Sequence, residues 1–176
     1  MSELRKANTD RAFFVTLSVV GWLDIFTRNI YCEQFIESLE FCRKHKGLKV
    51  YAYCIMSNHI HMILANDDAK LPAIIRDLKS YTAKKIIEMV VVGPVESRKE
   101  WLLYMFRYFA NNTQQNSEYR FWQKTNHPTE LETAKVFDQK MDYIHRNPVE
   151  AMLVNEESAW VYSSANPDSP FKVDES

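Results

Sequence analysis

Two apolar stretches joined by a two-residue turn constrain the fold of this chain most strongly. The segments "LKVYAYCIM" (48–56) and "HIHMILAN" (59–66) consist mainly of apolar and aromatic residues, as half-buried or buried strands do. Ser57 and Asn58 lie between them, and their side chains can bond the local backbone of a tight turn. The sequence therefore predicts an antiparallel hairpin in the middle of the chain.

Further predicted elements flank this hairpin. Strands are predicted at "AFFVTLSVV" (12–20) and at "YRFWQKT" (119–125). Helices are predicted where apolar residues recur every three or four positions, at 29–45, 71–92, 97–112 and 128–146. The order strand, helix, strand, strand, helix, helix, strand, helix indicates an α+β fold. It matches the ferredoxin-like split βαβ sandwich, an antiparallel sheet with helices on one face.

The length of 176 residues favours one domain, which we expect to span residues 1–155. Residues 156–176 are acidic and contain "NPDSP", so a loosely ordered tail is expected there. Charges interrupt the apolar runs before they reach the length of a membrane helix, and we expect a cytoplasmic protein without a membrane partner. The only three glycines are too scattered for a phosphate-binding loop, which argues against ATP and NAD enzymes.

Two of the five histidines stand one residue apart in the second strand of the hairpin. Because side chains alternate along a strand, His59 and His61 point to the same face and can share a metal ion. Ile60 points the other way into the core, which fixes this register. Two polar residues on a solvent-facing strand need no function, however, so the spacing alone leaves both interpretations open.

The last predicted helix contains a second group of polar residues, in "MDYIHRNP" (141–148). Tyr143 and Asn147 are four residues apart and therefore lie on the same face of one helical turn. Tyr143 lies away from the centre of the apolar face of that helix. It is either a functional residue or an interfacial aromatic that hydrogen-bonds through its hydroxyl. Pro148 disfavours helix at the preceding residue, so the helix is expected to end near Arg146.

The segments "NHIHMIL" and "YIHRNPVEAMLV", with "RFWQKTNHP" between them, together resemble the single-tyrosine HUH transposases, specifically the REP-associated tyrosine transposase branch. The resemblance spans roughly residues 12–165 and implies the HUH endonuclease fold. It implies that His59, His61 and Asn147 are metal ligands. It also implies that Tyr143 attacks single-stranded DNA to form a 5′-phosphotyrosine link. A set of two imidazoles and one amide oxygen with free positions favours Mg²⁺ or Mn²⁺ over structural Zn²⁺.

The resemblance implies single-stranded or hairpin DNA as the partner and leaves a homodimer possible. Basic side chains could contact the phosphates of DNA, and aromatic rings could stack on unpaired nucleobases. The candidates are Arg76, Lys79, Lys84, Lys85, Arg107, Arg120, Phe121 and Trp122. Charged helix faces are more commonly just solvated. Two other functions are kept as alternatives: a protein that binds hairpin DNA without cutting it, and a small-molecule phosphoester hydrolase that uses the two histidines.

Overall fold

The computed structural model describes residues 12–94, 96–112 and 117–175. The strands are β1 (Phe13–Ser18), β2 (Lys49–Ile55), β3 (His59–Ala65) and β4 (Thr129–Glu130). The helices are α1 (Asn29–Lys46), α2 (Leu71–Val92), α3 (Lys99–Asn111) and α4 (Ala134–Glu150). Short 3₁₀ turns occur at Val20–Trp22 and Glu157–Ala159. No helix in the described ranges is long and apolar enough to cross a membrane.

The four strands form one antiparallel sheet in the order β2-β3-β1-β4. The predicted hairpin is confirmed, since β2 and β3 pair directly across the turn at residues 56–58. In the centre of the sheet, β1 pairs with β3 so that Thr16 lies opposite His61 and Ser18 opposite His59. The α+β fold class with a ferredoxin-like strand order is therefore confirmed.

Each face of the sheet has its own apolar core. On the first face, α1 and α2 cover inward residues of the three long strands: Val15, Leu17, Tyr53, Ile60, Met62 and Leu64. On the second face, Phe14, Tyr51 and Ile63 pack with Phe137 and Ile144 of α4. The last helix therefore lies on the opposite face from the others, whereas the sequence predicts all helices on one face. The second face is apolar enough to need a cover, and α4 provides it.

The segment 119–125 is not a strand, which corrects the prediction. Its only sheet-like contact is an isolated bridge between Trp122 and Val19. Phe121 and Trp122 are adjacent yet both buried, so their side chains do not alternate between core and solvent as those of a half-buried strand do. These two aromatic residues pack in the core instead of forming a strand. The fourth strand is the short segment Thr129–Glu130, which pairs with Phe13 and Phe14.

The last helix begins and ends later than predicted. It begins at Ala134, where the Thr133 side chain accepts a hydrogen bond of 3.2 Å from the backbone N–H of Val136. It continues through Pro148 to Glu150. Proline removes one N–H, but this loss falls within three residues of the helix end and the ring of Pro148 is buried. Asn147 therefore lies within the helix.

The segment after α4 follows the outer edge of β2. The backbone N–H of Ile55 donates to Tyr162 O and that of Ser164 to Tyr53 O, both at 2.9 Å. Further along, the backbone N–H of Asp174 donates to Val50 O at 2.8 Å. Side chains of the tail are also buried, namely Ser163, Ser169 and Phe171. This packing differs from the loosely ordered tail expected from composition, which does not reveal backbone bonds to a distant strand.

A buried carboxylate, Glu96, joins the start of α1 to the start of α3. Its side chain is 1% exposed and accepts hydrogen bonds of 3.0 Å from Nε of Arg28 and from Nε of Arg98. The Tyr31 hydroxyl donates to it as well, at 3.2 Å. Burial alone would raise the pKa of Glu96, but the two guanidinium groups outweigh it and hold this pKa at about 2, below the ordinary 4.5.

Replacing Glu96 with glutamine is expected to destabilise the fold by about 3 kcal/mol at neutral pH. Because the folded-state pKa is depressed, the wild-type advantage is present above about pH 4.5 and is lost as pH falls through about 2. Urea unfolding of both proteins across this pH range measures the difference in their free energies of unfolding. Glu88→Gln, at an exposed pair with Lys85, is the matched control and should show little gap. A pH-independent gap for Glu96→Gln would contradict the assignment.

Candidate active site

Strand β3 places the two histidines side by side on the face that α4 covers. Their ring centroids are 4.6 Å apart. Ile60 between them is fully buried in the opposite core, which fixes the register as predicted. His61 is 6% exposed, and His59 is half-buried at the end of the strand. The histidines thus form one pair at the border between the core and solvent.

Hydrogen bonds orient both rings through Nδ1. The Asn58 amide donates to Asp24 Oδ1 at 3.1 Å, so its Oδ1 is left to accept from Nδ1 of His59, which lies 2.7 Å away. This bond assigns the proton to Nδ1 and leaves Nε2 of His59 with its lone pair. Nδ1 of His61 lies 2.9 Å from the Thr16 hydroxyl on the neighbouring strand. A hydrogen bond at one ring nitrogen orients an imidazole and leaves the other nitrogen to face a metal ion.

The environment keeps both imidazoles neutral. Burial lowers the pKa of His59, and a hydrogen bond with Asn147 opposes the shift in part. Burial lowers the pKa of His61 to about 3, and repulsion from Lys140, and from His59 whenever it is protonated, opposes a charge on His61 as well. Neutral imidazole is the form that binds a metal ion.

Helix α4 brings Tyr143 and Asn147 to this pair. The Tyr143 ring makes edge contacts with His61 and with Phe14, at centroid distances of 5.3 and 5.9 Å. Its side chain is 41% exposed, so part of it is open to solvent and to a ligand. Asn147 lies one turn later on the same face of α4, and its side chain partly opposes the lowering of the His59 pKa. Packing of Phe137 and Ile144 against the sheet sets the rotation of α4 that directs these two side chains toward the histidines.

Lys140 also belongs to this site, although the sequence analysis did not single it out. Its ammonium lies 4.5 Å from the Phe14 ring and 5.5 Å from the Tyr143 ring. No ion pair of Lys140 is found in the part of the chain that the structure describes. A spacing of three residues before Tyr143 puts Lys140 on the same helical face and is the signal that could have identified it.

The donor set at this site suits a divalent cation with open coordination positions. Over the described ranges, no cluster of three or more His, Cys, Asp or Glu side chains could hold a metal ion. The histidine pair would therefore need a different third ligand, and the candidate is Asn147, whose side chain acts to raise the pKa of His59. Two neutral imidazoles and one amide leave the cation its full charge and free positions for a substrate.

The lysine and arginine side chains predicted to bind DNA differ in the contacts that they already make within the protein. Lys79 donates to the backbone carbonyl of Gln123 at 2.9 Å, and burial lowers the pKa of its ammonium. Arg76, Lys85 and Arg107 are exposed or half-buried and pair with nearby carboxylates. Lys79, Lys84 and Arg120 line one cleft of about 650 Å³ between α2 and residues 117–124. Neither histidine lines this cleft, and Tyr143 does not either.

Phe121 and Trp122 are not available to stack on unpaired bases. They are 2% and 6% exposed, and their rings pack against each other and against Phe26. The Trp122 indole N–H donates to the Thr82 hydroxyl at 3.1 Å inside the core. Adjacent aromatic residues give the same sequence signal whether they stack on a ligand or fill a core. Only their burial in the structure distinguishes the two roles.

The ferredoxin-like sheet with paired histidines and a tyrosine beside them is the arrangement that the resemblance to single-tyrosine transposases implies. Residues 23–124 match the family model described as "Transposase IS200 like". This match covers more than half of the chain, which belongs to the IS200-like transposase family. The match includes both histidines and ends before Tyr143. The resemblance drawn from the sequence is thereby confirmed.

A solved structure of a REP-associated tyrosine transposase bound to a REP hairpin shares this fold. The TM-score is 0.62 at 15% sequence identity, and the alignment covers 89% of this chain and 77% of that one. No curated protein matches the chain.

Proposed function

We propose that this transposase cleaves and rejoins single-stranded DNA through a 5′-phosphotyrosine intermediate. The observation that carries the proposal is the contact between the Tyr143 ring and His61, 5.3 Å apart, within one chain. A phenol is a weak nucleophile at neutral pH, so it attacks only an activated phosphate. The histidine pair beside it is the place where such a phosphate would be activated.

In the proposed reaction, Oη of Tyr143 bonds to phosphorus while the bond from phosphorus to the 3′ oxygen breaks. The phenolic proton leaves to solvent, and the departing 3′ oxygen takes up a proton to become a hydroxyl. The phosphodiester is exchanged for a phosphotyrosine ester, so the step reverses when the 3′ hydroxyl attacks. No nucleotide cofactor is consumed.

We propose His59, His61 and Asn147 as ligands of Mg²⁺ or Mn²⁺. When bound, the cation would polarise the non-bridging oxygens of the phosphate. The Nδ1 hydrogen bonds of His59 and His61 hold the rings in place. The ammonium of Lys140 supplies a further positive charge next to the Tyr143 ring.

We also propose hairpin-containing DNA as the substrate. The similar transposase was solved with a REP hairpin, and the cleft that contains Lys79, Lys84 and Arg120 offers positive charge to phosphates. The contact between Tyr143 and His61 within one chain supports cleavage by a single copy. A homodimer remains a prediction from the resemblance alone.

A covalent capture experiment tests the function and identifies the cleaved DNA sequence at the same time. The protein is incubated with Mg²⁺ and a pool of single strands that share a hairpin and carry randomised flanks. A DNA-protein adduct that survives denaturation supports the transposase, and sequencing its DNA identifies the cleaved site. Bound but uncut DNA would favour a binding protein. Neither product, together with turnover of a small phosphoester, would favour a hydrolase.

Replacing Lys140 with glutamine is expected to slow adduct formation about 10- to 100-fold, because a charge near the developing phosphate charge is removed. Single-turnover rates at saturating DNA measure the effect. Lys140→Arg should keep most of the rate. Lys135→Gln, an exposed lysine earlier in α4, is the control and should leave the rate unchanged. An unaltered rate in Lys140→Gln would show that the charge of Lys140 does not assist adduct formation.

A further inference from the structure

We propose that Trp22 binds one unpaired nucleobase of the DNA strand next to the cleaved phosphate. The inference rests on the proposed function, since it assigns a contact for the same strand. Trp22 follows β1 and is 56% exposed. Its ring centroid lies 5.8 Å from that of His59, in an edge-to-face arrangement. A large aromatic surface is therefore open to solvent directly beside the histidine pair.

The backbone that presents Trp22 adopts an unusual conformation. Gly21 and Trp22 both have positive φ, at 60° and 53°. Bulky L residues rarely occupy this region, and they do so mainly where the surrounding structure requires it. A Cβ on Gly21 would lie 2.4 Å from Cε2 of Phe109 in α3, so this glycine allows the turn to pack against that helix.

Hydrogen bonds fix the loop on both sides of Trp22. The backbone N–H of Val19 donates to Asn58 O, and that of Phe26 donates to Ser57 O, both at 2.9 Å. Both bonds reach the β2–β3 turn immediately before His59. The backbone on both sides of Trp22 is therefore bonded to the turn that leads into His59. A base that stacks on the indole meets a preorganised surface, which lowers the entropy cost of binding.

The chemistry of the ligand follows from this position. A single exposed tryptophan on a protein surface needs no function. Here, however, the exposed ring adjoins the residues proposed to hold a phosphate, and in a nucleic acid each phosphodiester joins two sugars that each carry a base. Stacking on indole is available to every base and is nearly independent of sequence. Trp22 would thus set the position of the strand and not its sequence preference.

Binding measurements test this inference, with Tyr143→Phe as the parent protein so that no strand is cut. The probe is fluorescent oligothymidine. Trp22→Ala and Trp22→Leu should each weaken binding roughly 5- to 100-fold, the effect of losing one base–aromatic stack. Trp22→Phe should stay close to the parent. Trp101→Ala is the matched control, because Trp101 is 50% exposed on α3 and makes no ring contact with either histidine in the described structure.

Equal binding by the Trp22→Leu, Trp101→Ala and parent proteins would overturn the stacking site. With a hairpin identified by covalent capture, an abasic site beside the cleaved phosphate should weaken binding by the parent and not by Trp22→Leu. Absence of any adduct with wild-type protein would refute the proposed function. Oligothymidine binding that depends on Trp22 would still support the stacking site in that case. The two failures are therefore distinguishable.

Discussion

Replacing Tyr143 with phenylalanine is expected to abolish the covalent adduct with hairpin DNA, a loss on the order of 10⁴-fold or more in rate, as for other enzymes that lose their nucleophile. The variant keeps the ring that contacts Phe14 and His61 and removes only the hydroxyl. Folding and DNA affinity should therefore change little. Denaturing gels of protein with labelled hairpin DNA measure the adduct, and thermal unfolding verifies the fold.

Tyr104→Phe is the matched control for this experiment. Tyr104 is 62% exposed on α3, so its hydroxyl is at least as accessible as that of Tyr143. It makes no ring contact with the histidine pair in the described structure. Its variant should form the adduct at the wild-type rate. An adduct that persists in Tyr143→Phe would show that another group attacks the phosphate.

Replacing both His59 and His61 with alanine is expected to remove metal-dependent cleavage, a loss of at least about 10³-fold at fixed Mn²⁺. Two of the three proposed ligands are then absent, so raising the concentration of Mn²⁺ should restore little activity. Calorimetric titration with Mn²⁺ provides a readout besides activity. The wild-type protein should show a binding event that the double variant lacks.

His45→Ala is the control for metal binding, because His45 is exposed at the end of α1 and stacks only on Phe41. It should titrate like the wild-type protein. Unchanged Mn²⁺ binding in the double variant would show that the metal ion binds elsewhere than at the two histidines of β3. If the double variant loses Mn²⁺ binding but still cleaves DNA, cleavage does not require the cation at this site.

Local patterns were sufficient to predict the elements with strong periodicity. The hairpin followed from two apolar stretches and a Ser57–Asn58 turn, and the histidine register followed from strand alternation around Ile60. The fourth strand could not be predicted, because Thr129–Glu130 is only two residues long and both are exposed. Its pairing with β1 is a tertiary contact that leaves no pattern in the sequence. The same holds for the face on which α4 lies.

The sequence predicted which side chains meet at the site better than it predicted their surroundings. The Tyr143 ring contacts His61 beside His59, and Asn147 lies one turn further along α4, while the metal-binding and catalytic roles of these residues stay predictions. Phe121 and Trp122 are buried, which composition cannot reveal. The sequence did not indicate Trp22 either, because the positive φ and the loop bonds that place its ring beside His59 are features of the folded structure.

The tail that follows α4 occupies hydrogen-bonding groups of β2 that an outer strand would otherwise use. A second copy of the chain therefore cannot extend the sheet at this edge unless the tail first detaches. In the described residues, the strand at the opposite edge is the two-residue β4. Addition of a strand from another copy, and fibril-like extension of the sheet, are therefore disfavoured from the β2 side.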